Sequence, residues 1–166
     1  IGRKFVLTRS PVRSKPGSYV EPDVIRFVGA AAPSHVTTNL PAPFDSFDVQ
    51  PGQILDTWTQ KDLVISASEP ILVGQYLVAQ DYVEGTPKGD PSFTVFPPVE
   101  QAQSEYVFLS PKGWTESWVV IAAVAGTKVT IDGAAPAGCV TADAGVLDGK
   151  SYTATRCPLA QGVHRL

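Results

Sequence analysis

Short apolar runs recur along the chain, each bounded by glycine, proline, aspartate or serine. Runs rich in Val, Ile, Phe and Tyr with such boundaries are typical of β-strands. They lie at Lys4–Thr8, Val24–Val28, Gln53–Trp58, Ile71–Ala79, Phe93–Phe96, Tyr106–Leu109, Trp118–Val124 and Lys128–Ile131. With 15 prolines and 14 glycines, few windows are long enough for a helix. The pattern predicts an all-β, sandwich-like fold.

One pattern occurs twice and indicates an internal duplication. The stretch VVIAAVAGTKVTIDG at Val119–Gly133 has a fainter counterpart, RFVGAAAPSHVTTN, at Arg26–Asn39. Aligning the two places Val36 on Val129, so the strands that contain these residues are predicted to be equivalent. We therefore predict two related β units, at residues 1–82 and 104–166, joined by a structured crossover rich in Pro, Gly and Asp at residues 83–103.

The second unit is predicted to be incomplete at its C-terminal end. Leu159–Leu166 aligns with the segment that begins at Val49, and the apolar stretch ILVGQYLVAQ of the first unit has no later counterpart. A sandwich without that strand would expose an apolar groove and unpaired backbone groups. We expect a following segment, or a neighbouring subunit by β-augmentation, to supply the strand. The second route would make the protein an assembling surface component.

The two cysteines, Cys139 and Cys157, flank a stretch that the first unit lacks and that is predicted to be a loop. With only the distant His35 and His164 as further ligands, a metal site is disfavoured. The alternatives are a disulfide and two buried thiols, and the position at the two ends of one loop favours the disulfide. Closing such a loop stabilises a protein by about 3 kcal/mol. A disulfide also indicates an oxidising compartment.

Composition and charge exclude several classes of function. Apolar residues make up 43% of the chain, which supports a packed core, and the net charge is −3. No basic stripe is present, which argues against nucleic acid and against an anionic membrane surface as partners. The longest apolar run, Trp118–Ala125, is far shorter than the roughly 20 residues of a membrane span.

Four carboxylates of the crossover are the first candidates for chemistry: Asp81, Glu84, Asp90 and Glu100. Paired carboxylates could hold calcium or act as general acid and base. The segment lacks the alternating ligands of a calcium loop, and Asp90 before Pro91 suits a turn or cap. Asp81 and Asp90 are thus weak calcium candidates, no other cofactor is indicated, and a structural role is favoured.

Aromatic residues near turns are the second set of candidates. Trp114 follows Lys112-Gly113 in a predicted hairpin loop and, with Tyr82, could stack on a sugar or anchor a protein partner. Trp58 alternates with Ile54 and Asp56 and is predicted to lie in the core.

Several stretches together resemble one known family, the IgGFc-binding protein N-terminal domain. They are EPDVIRFVGA, EPILVGQYLVAQD, GDPSFTVFPPVEQ, EYVFLSP, VVIAAVAGTKVTIDG and GVHRL, in order over nearly the whole chain. The resemblance implies a secreted or cell-surface, non-enzymatic binding module. The Ala- and Pro-rich composition favours a bacterial-type member. The family's antibody ligand is not carried over, and the cysteine-bearing insertion is not part of the family pattern.

The sequence therefore predicts an extracellular binding or adhesion module with a structural or assembly role, whose partner is a protein or glycan at a cell surface. The runner-up is a carbohydrate-binding module that uses Trp114 and Tyr82, and loss of glycan binding in Trp114→Ala would favour it. A hydrolase that uses the crossover carboxylates is the third interpretation, which loss of turnover in Asp90→Asn would favour.

Overall fold

A computed structural model describes residues 1–85 and 89–166 and confirms the all-β, sandwich-like prediction. The strands, numbered in chain order, are β1 Gly2–Leu7, β2 Asp23–Gly29, β3 Ser34–Thr38, β4 Ser46–Val49, β5 Ile54–Thr59, β6 Leu63–Leu77, β7 Ser92–Val95, β8 Val107–Ser110, β9 Trp118–Val124, β10 Val140–Leu147, β11 Lys150–Pro158 and β12 Gly162–Arg165. Single 3₁₀ turns lie at Gln80–Tyr82 and Val99–Gln101. No helix among the described residues is long and apolar enough to span a membrane.

Strand β6 organises the first half of the chain. Its 15 residues pair antiparallel with β1 and β3 along the first part and with β2 and β7 along the second. Strand β5 extends the sheet from β2, and β4 extends it from β3. Alternate β6 residues, together with side chains of β1, β2, β3 and β4, form one core that includes Phe5, Leu7, Ile25, Phe27, Val36, Val49, Leu63, Ile65, Ile71 and Val73.

The second half consists of a three-stranded sheet, ordered β10-β11-β9, and a ribbon of β8 with β12. The predicted strand Lys128–Ile131 is wrong, because the structure has only an isolated bridge between Ile131 and Ala134 there. Asp132 and Gly133 both have positive φ angles, 53° and 81°, which is the geometry of a two-residue hairpin turn. The chain therefore reverses before a longer ladder can form.

The segment between the cysteines is a β-hairpin, so its prediction as a loop is wrong. Strands β10 and β11 pair from Val140↔Arg156 to Leu147↔Lys150 and are joined by Asp148 and Gly149, whose φ angles are 50° and 72°. Asp-Gly between two apolar runs is a strong hairpin signal in the sequence. The predicted disulfide between Cys139 and Cys157 is confirmed. It links the two strands at the end of the hairpin away from the turn.

This hairpin also joins the two halves of the chain. Ala144, Leu147 and Ala154 of the hairpin pack with Val6 of β1 and Val64 of β6 in a second, smaller core. At a bulge in β10, Gly145 lies against Asn39 and Val64, and the Asn39 side chain donates a hydrogen bond to the carbonyl of Ala144. The inserted segment is thus the contact surface of the second half with the first.

Candidate binding surface

Trp114 lies in a groove of about 410 Å³ between β8 and β9, and 64% of its surface is exposed. The groove, called the Trp114 groove below, is lined by Phe108, Leu109, Ser110, Pro111, Trp114, Ser117, Trp118, Val119, Val120 and Leu159. Leu109 and Trp118 are exposed as well. Large apolar side chains exposed side by side are typical of interaction surfaces.

The incompleteness predicted for the second half stays a prediction. The sequence predicted an apolar groove beside Leu159–Leu166, and Leu159 lies in the lining of the Trp114 groove. What occupies the groove stays a prediction.

The free edge of β9 runs along this groove. The N–H of Leu159 donates to the carbonyl of Ser117 and that of Ala125 donates to Ser151, each at 2.8 Å. In an antiparallel pair, successive residues direct their backbone N–H and C=O groups alternately toward and away from the partner strand. The odd-numbered residues of β9 therefore bond to β11, and the backbone groups of Trp118, Val120 and Ala122 point the other way. No described strand pairs with β9 on that side.

Strand β8 has a free edge for the same reason. Tyr106 and Leu166 exchange two backbone hydrogen bonds of 2.9 Å, which fixes the alternation of the β8–β12 ribbon. The backbone groups of Val107 and Leu109 then point away from β12. Within the described part of the chain, β12 is the only partner of β8.

Ser110 is one of two serines in the mostly apolar lining of the groove. Its residue surface is 4% exposed, and its hydroxyl has no hydrogen-bond partner among the described residues. Most buried hydroxyls are hydrogen-bonded, because leaving one unpaired costs about 1–3 kcal/mol. The Ser110 hydroxyl is thus a buried, unpaired polar group in the wall of the groove.

A second exposed surface, called the aromatic face below, lies on the outer side of the first sheet. One cross-strand row holds Trp58 of β5, Val24 of β2, Tyr76 of β6 and Phe93 of β7. Trp58 is 66% exposed, so its predicted place in the core is wrong. The signal was present in the sequence, since the charged Asp56 shares the face of Trp58 two residues earlier.

Arg26 stiffens the aromatic face by tying three strands together. Its guanidinium donates two hydrogen bonds to Asp56, at 2.8 and 2.7 Å, and a third to the hydroxyl of Tyr76 at 2.8 Å. The hydrogen bond from Arg26 holds the pKa of Asp56 below its usual value. The ring of Phe93 lies over Gly74, where a Cβ atom would come within 2.4 Å of the ring.

Tyr82 is exposed but lies apart from Trp114. It lines a shallow depression with Tyr19, Asp81, Val83, Glu84 and Gly85, and none of these residues lines the Trp114 groove. The structure thus does not bring the two candidate aromatics together.

The crossover carboxylates are mostly placed by the backbone of the first half. Glu84 accepts a hydrogen bond from the N–H of Tyr19 at 3.1 Å, and Glu100 accepts one from the N–H of Arg3 at 3.3 Å. Asp81 lies in the 3₁₀ turn beside Tyr82, and Asp90 lies just before β7. In residues 1–85 and 89–166, no three His, Cys, Asp or Glu side chains are grouped as a metal site would require.

Two buried carboxylates that the sequence analysis missed hold the loop between β1 and β2. Glu21 accepts hydrogen bonds from the N–H groups of Arg13 and Ser14. Burial alone would raise the pKa of Glu21, but the hydrogen bonds from Ser14 and Arg13 outweigh it and the pKa is lowered. Burial raises the pKa of Asp23, which accepts hydrogen bonds from Ser10 and Gln75. Both carboxylates are enclosed by the fold, which indicates a structural role.

His164 links β12 to the Asp132-Gly133 turn and is largely buried, at 8% exposure. Its Nδ1 lies 2.7 Å from Oδ2 of Asp132, and its Nε2 lies 3.0 Å from the carbonyl of Ala160. The hydrogen bond with Asp132 raises the pKa of His164, and the Ala160 carbonyl adds to this effect. With both nitrogens next to acceptors, the ring is a clamp rather than a catalytic base.

Comparison with known proteins gives a match at the level of the family. No curated protein and no solved structure matches the chain. The family model described as IgGFc binding protein matches residues 1–166, the whole chain. Such a match agrees with the resemblance seen in the sequence, whereas the bacterial type of the chain stays a prediction. The chain belongs to the IgGFc-binding protein family, a family of extracellular binding domains.

Proposed function

We propose that the chain is a non-enzymatic adhesion module of a secreted or cell-surface protein, with a structural or assembly role. The observation that carries this proposal is the Trp114 groove. It is lined by two exposed tryptophans, Trp114 and Trp118, and bordered by β8 and β9, each of which has one edge that no described strand pairs with. Tryptophan is enriched at the centres of protein interfaces because one residue buries a large area at a small entropic cost. The family and the disulfide support an extracellular location.

The domain organisation in this proposal is two related β units, at residues 1–82 and 104–166, with the crossover 83–103 between them. In the described part of the crossover, β7 adds a strand to β6 and the turn at Val99–Gln101 packs beside β1. The crossover therefore packs against strands of the first unit. The Trp114 groove belongs to the second, so binding there leaves the core of the first unit undisturbed.

A binding assay with matched tryptophan variants tests the proposed function. Beads coated with the whole chain are passed over purified, immobilised extracellular proteins, which include the IgG Fc fragment that the family description names. The same beads are passed over a glycan array. We expect retention on at least one protein, reduced about tenfold or more in Trp114→Ala. Trp58→Ala is the matched control, because Trp58 has nearly the same exposure, 66% against 64%.

Two outcomes would contradict the proposal. Absence of bead retention on every protein would contradict the adhesion role. An equal loss of retention in Trp114→Ala and Trp58→Ala would show that the groove is not the binding site. Retention on glycans alone, lost in both Trp114→Ala and Tyr82→Ala, would favour the carbohydrate-binding alternative. The exposure of the two side chains, 64% and 59%, keeps that alternative open to test.

A further inference from the structure

We infer that the Trp114 groove is a strand-acceptor site, which takes one extended segment of a partner polypeptide between β8 and β9. The side chains of that segment that contact the groove are apolar and uncharged. Because strand side chains alternate in direction, these are the side chains of every second residue. This inference rests on the proposed function, because it names the kind of partner that the same groove would bind.

The free backbone groups of the groove specify an extended peptide. Trp118, Val120 and Ala122 on β9 and Val107 and Leu109 on β8 direct N–H and C=O groups away from their only described partner strands. These free N–H and C=O groups recur at every second residue of each strand. An added β-strand presents its own backbone groups at the same spacing and can therefore pair with them. A sugar bound by stacking on Trp114 would leave this row of backbone groups unpaired.

The first half of the same molecule shows what such a strand does. Strand β6 adjoins both β1 and β2, along consecutive stretches. It pairs with β1 along Leu63–Ser66 and with β2 along Leu72–Leu77, and Ile71 pairs with the end of each strand. In the proposed repeat, β8 corresponds to β1 and β9 to β2. Strand β2 has partners on both edges, β5 and β6, whereas the only described partner of β9 is β11.

The chemistry of the lining specifies the side chains of the partner. None of the residues that line the groove is charged. A charged side chain buried against Leu109, Trp118 and Val120 would lose hydration without gaining an ion pair, so charge matching selects an uncharged segment.

Amide hydrogen exchange of the whole chain, measured by NMR with and without a peptide, tests the inference. The probe is a synthetic peptide that copies Ile71–Leu77 of β6, with lysines added at both ends for solubility, and a second probe is an alternating Val/Thr peptide. We expect at least one of them to slow exchange of the Trp118, Val120 and Ala122 amides about tenfold or more. The amides of Val119, Ile121 and Ala123 already bond to β11 and serve as internal controls.

Two variants sharpen the test. A peptide with proline at its centre keeps its apolar character but cannot donate to the ladder, and we expect it to give no protection. Trp114→Ala removes an exposed apolar side chain of the groove lining, and we expect it to weaken peptide binding about tenfold while the unfolding midpoint stays unchanged.

Three results would overturn the inference. The first is absence of protection by both peptides. The second is equal protection by the proline peptide, which would indicate non-specific apolar binding. The third is protection of the β9 edge without peptide that disappears on dilution, which would assign the groove to a second copy of this chain. If the peptides fail while bead retention still depends on Trp114, the proposed function stands and the strand mode alone is wrong.

Discussion

Arg156 of β11 donates a hydrogen bond to Oδ1 of Asp62, the residue just before β6, and so joins the second half of the chain to the first. The same carboxylate oxygen accepts the N–H of Arg9 at 2.7 Å, and Nε of Arg156 donates to the carbonyl of Arg9 at 3.1 Å. The side chains of Arg156 and Asp62 are only 14% and 6% exposed. Water therefore cannot replace either partner.

Replacing Arg156 by methionine should destabilise the protein by about 3 kcal/mol, because the Asp62 carboxylate would stay buried with its charge uncompensated. Urea unfolding followed by tryptophan fluorescence measures the loss. Arg165→Met is the control, since Arg165 pairs with Glu105 at 2.7 Å but both side chains are more than half exposed. An exposed pair is worth less than about 1 kcal/mol, so equal losses in the two variants would contradict the prediction.

Replacing Gly145 by alanine should loosen the contact between the two halves. The φ angle of Gly145 is 117°, and a Cβ atom there would lie 2.9 Å from Nδ2 of Asn39 and 3.1 Å from Val64. Backbone strain and overpacking together should cost about 2–4 kcal/mol in unfolding free energy. Gly126→Ala is the control, because Gly126 has a φ of 84° but nothing within 4 Å of the added atom, and it should cost only about 1–2 kcal/mol.

Removing the disulfide by the double change Cys139→Ala and Cys157→Ala should lower the free energy of unfolding by about 3 kcal/mol, since the unfolded chain gains the freedom of an open loop. Urea unfolding with and without reductant measures this. The reductant should reproduce the loss in the natural chain and have no effect on the double variant. Two free thiols detected by mass spectrometry without reductant would show that the bond is absent in solution.

The clamp of His164 on Asp132 should make stability depend on pH. The folded pKa of His164 is raised above 6.5, so its contribution is complete below about pH 6.5 and is lost as the pH rises through the raised pKa. The pKa of Asp132 is lowered, chiefly by the N–H of Arg165, so its contribution is present above its ordinary value near 3.8 and is lost as the pH falls through the lowered pKa. Stability measured across this range should show both losses.

His164→Gln separates this clamp from other titrating groups. Its amide side chain occupies similar space but does not titrate near neutral pH, so the alkaline loss of stability should disappear in the variant. An NMR titration of the His164 ring in the natural chain should give a pKa above the ordinary histidine value of 6.5. An unchanged alkaline loss in the variant would assign it to another group.

The sequence by itself determined the fold class and most strands of the first half. Val24–Val28 and Ile71–Ala79 are apolar runs with turn residues at both ends, and such runs form strands wherever the chain packs. The family and the disulfide partner of Cys139 were also predicted, because each depends on local pattern or on residue count. The Asp148-Gly149 hairpin was predictable too, but its signal was missed.

Only the tertiary structure decided which faces and edges stay open. Trp58 shares its strand face with Ile54 and Asp56, and it is exposed because no described residue covers the outer side of β5. The pairing of β6 with strands on both edges, and of β9 on one edge only, depends on contacts between residues far apart in the chain. Local sequence carries little information on such pairings, because the period of a strand is the same whether its edges are paired or free.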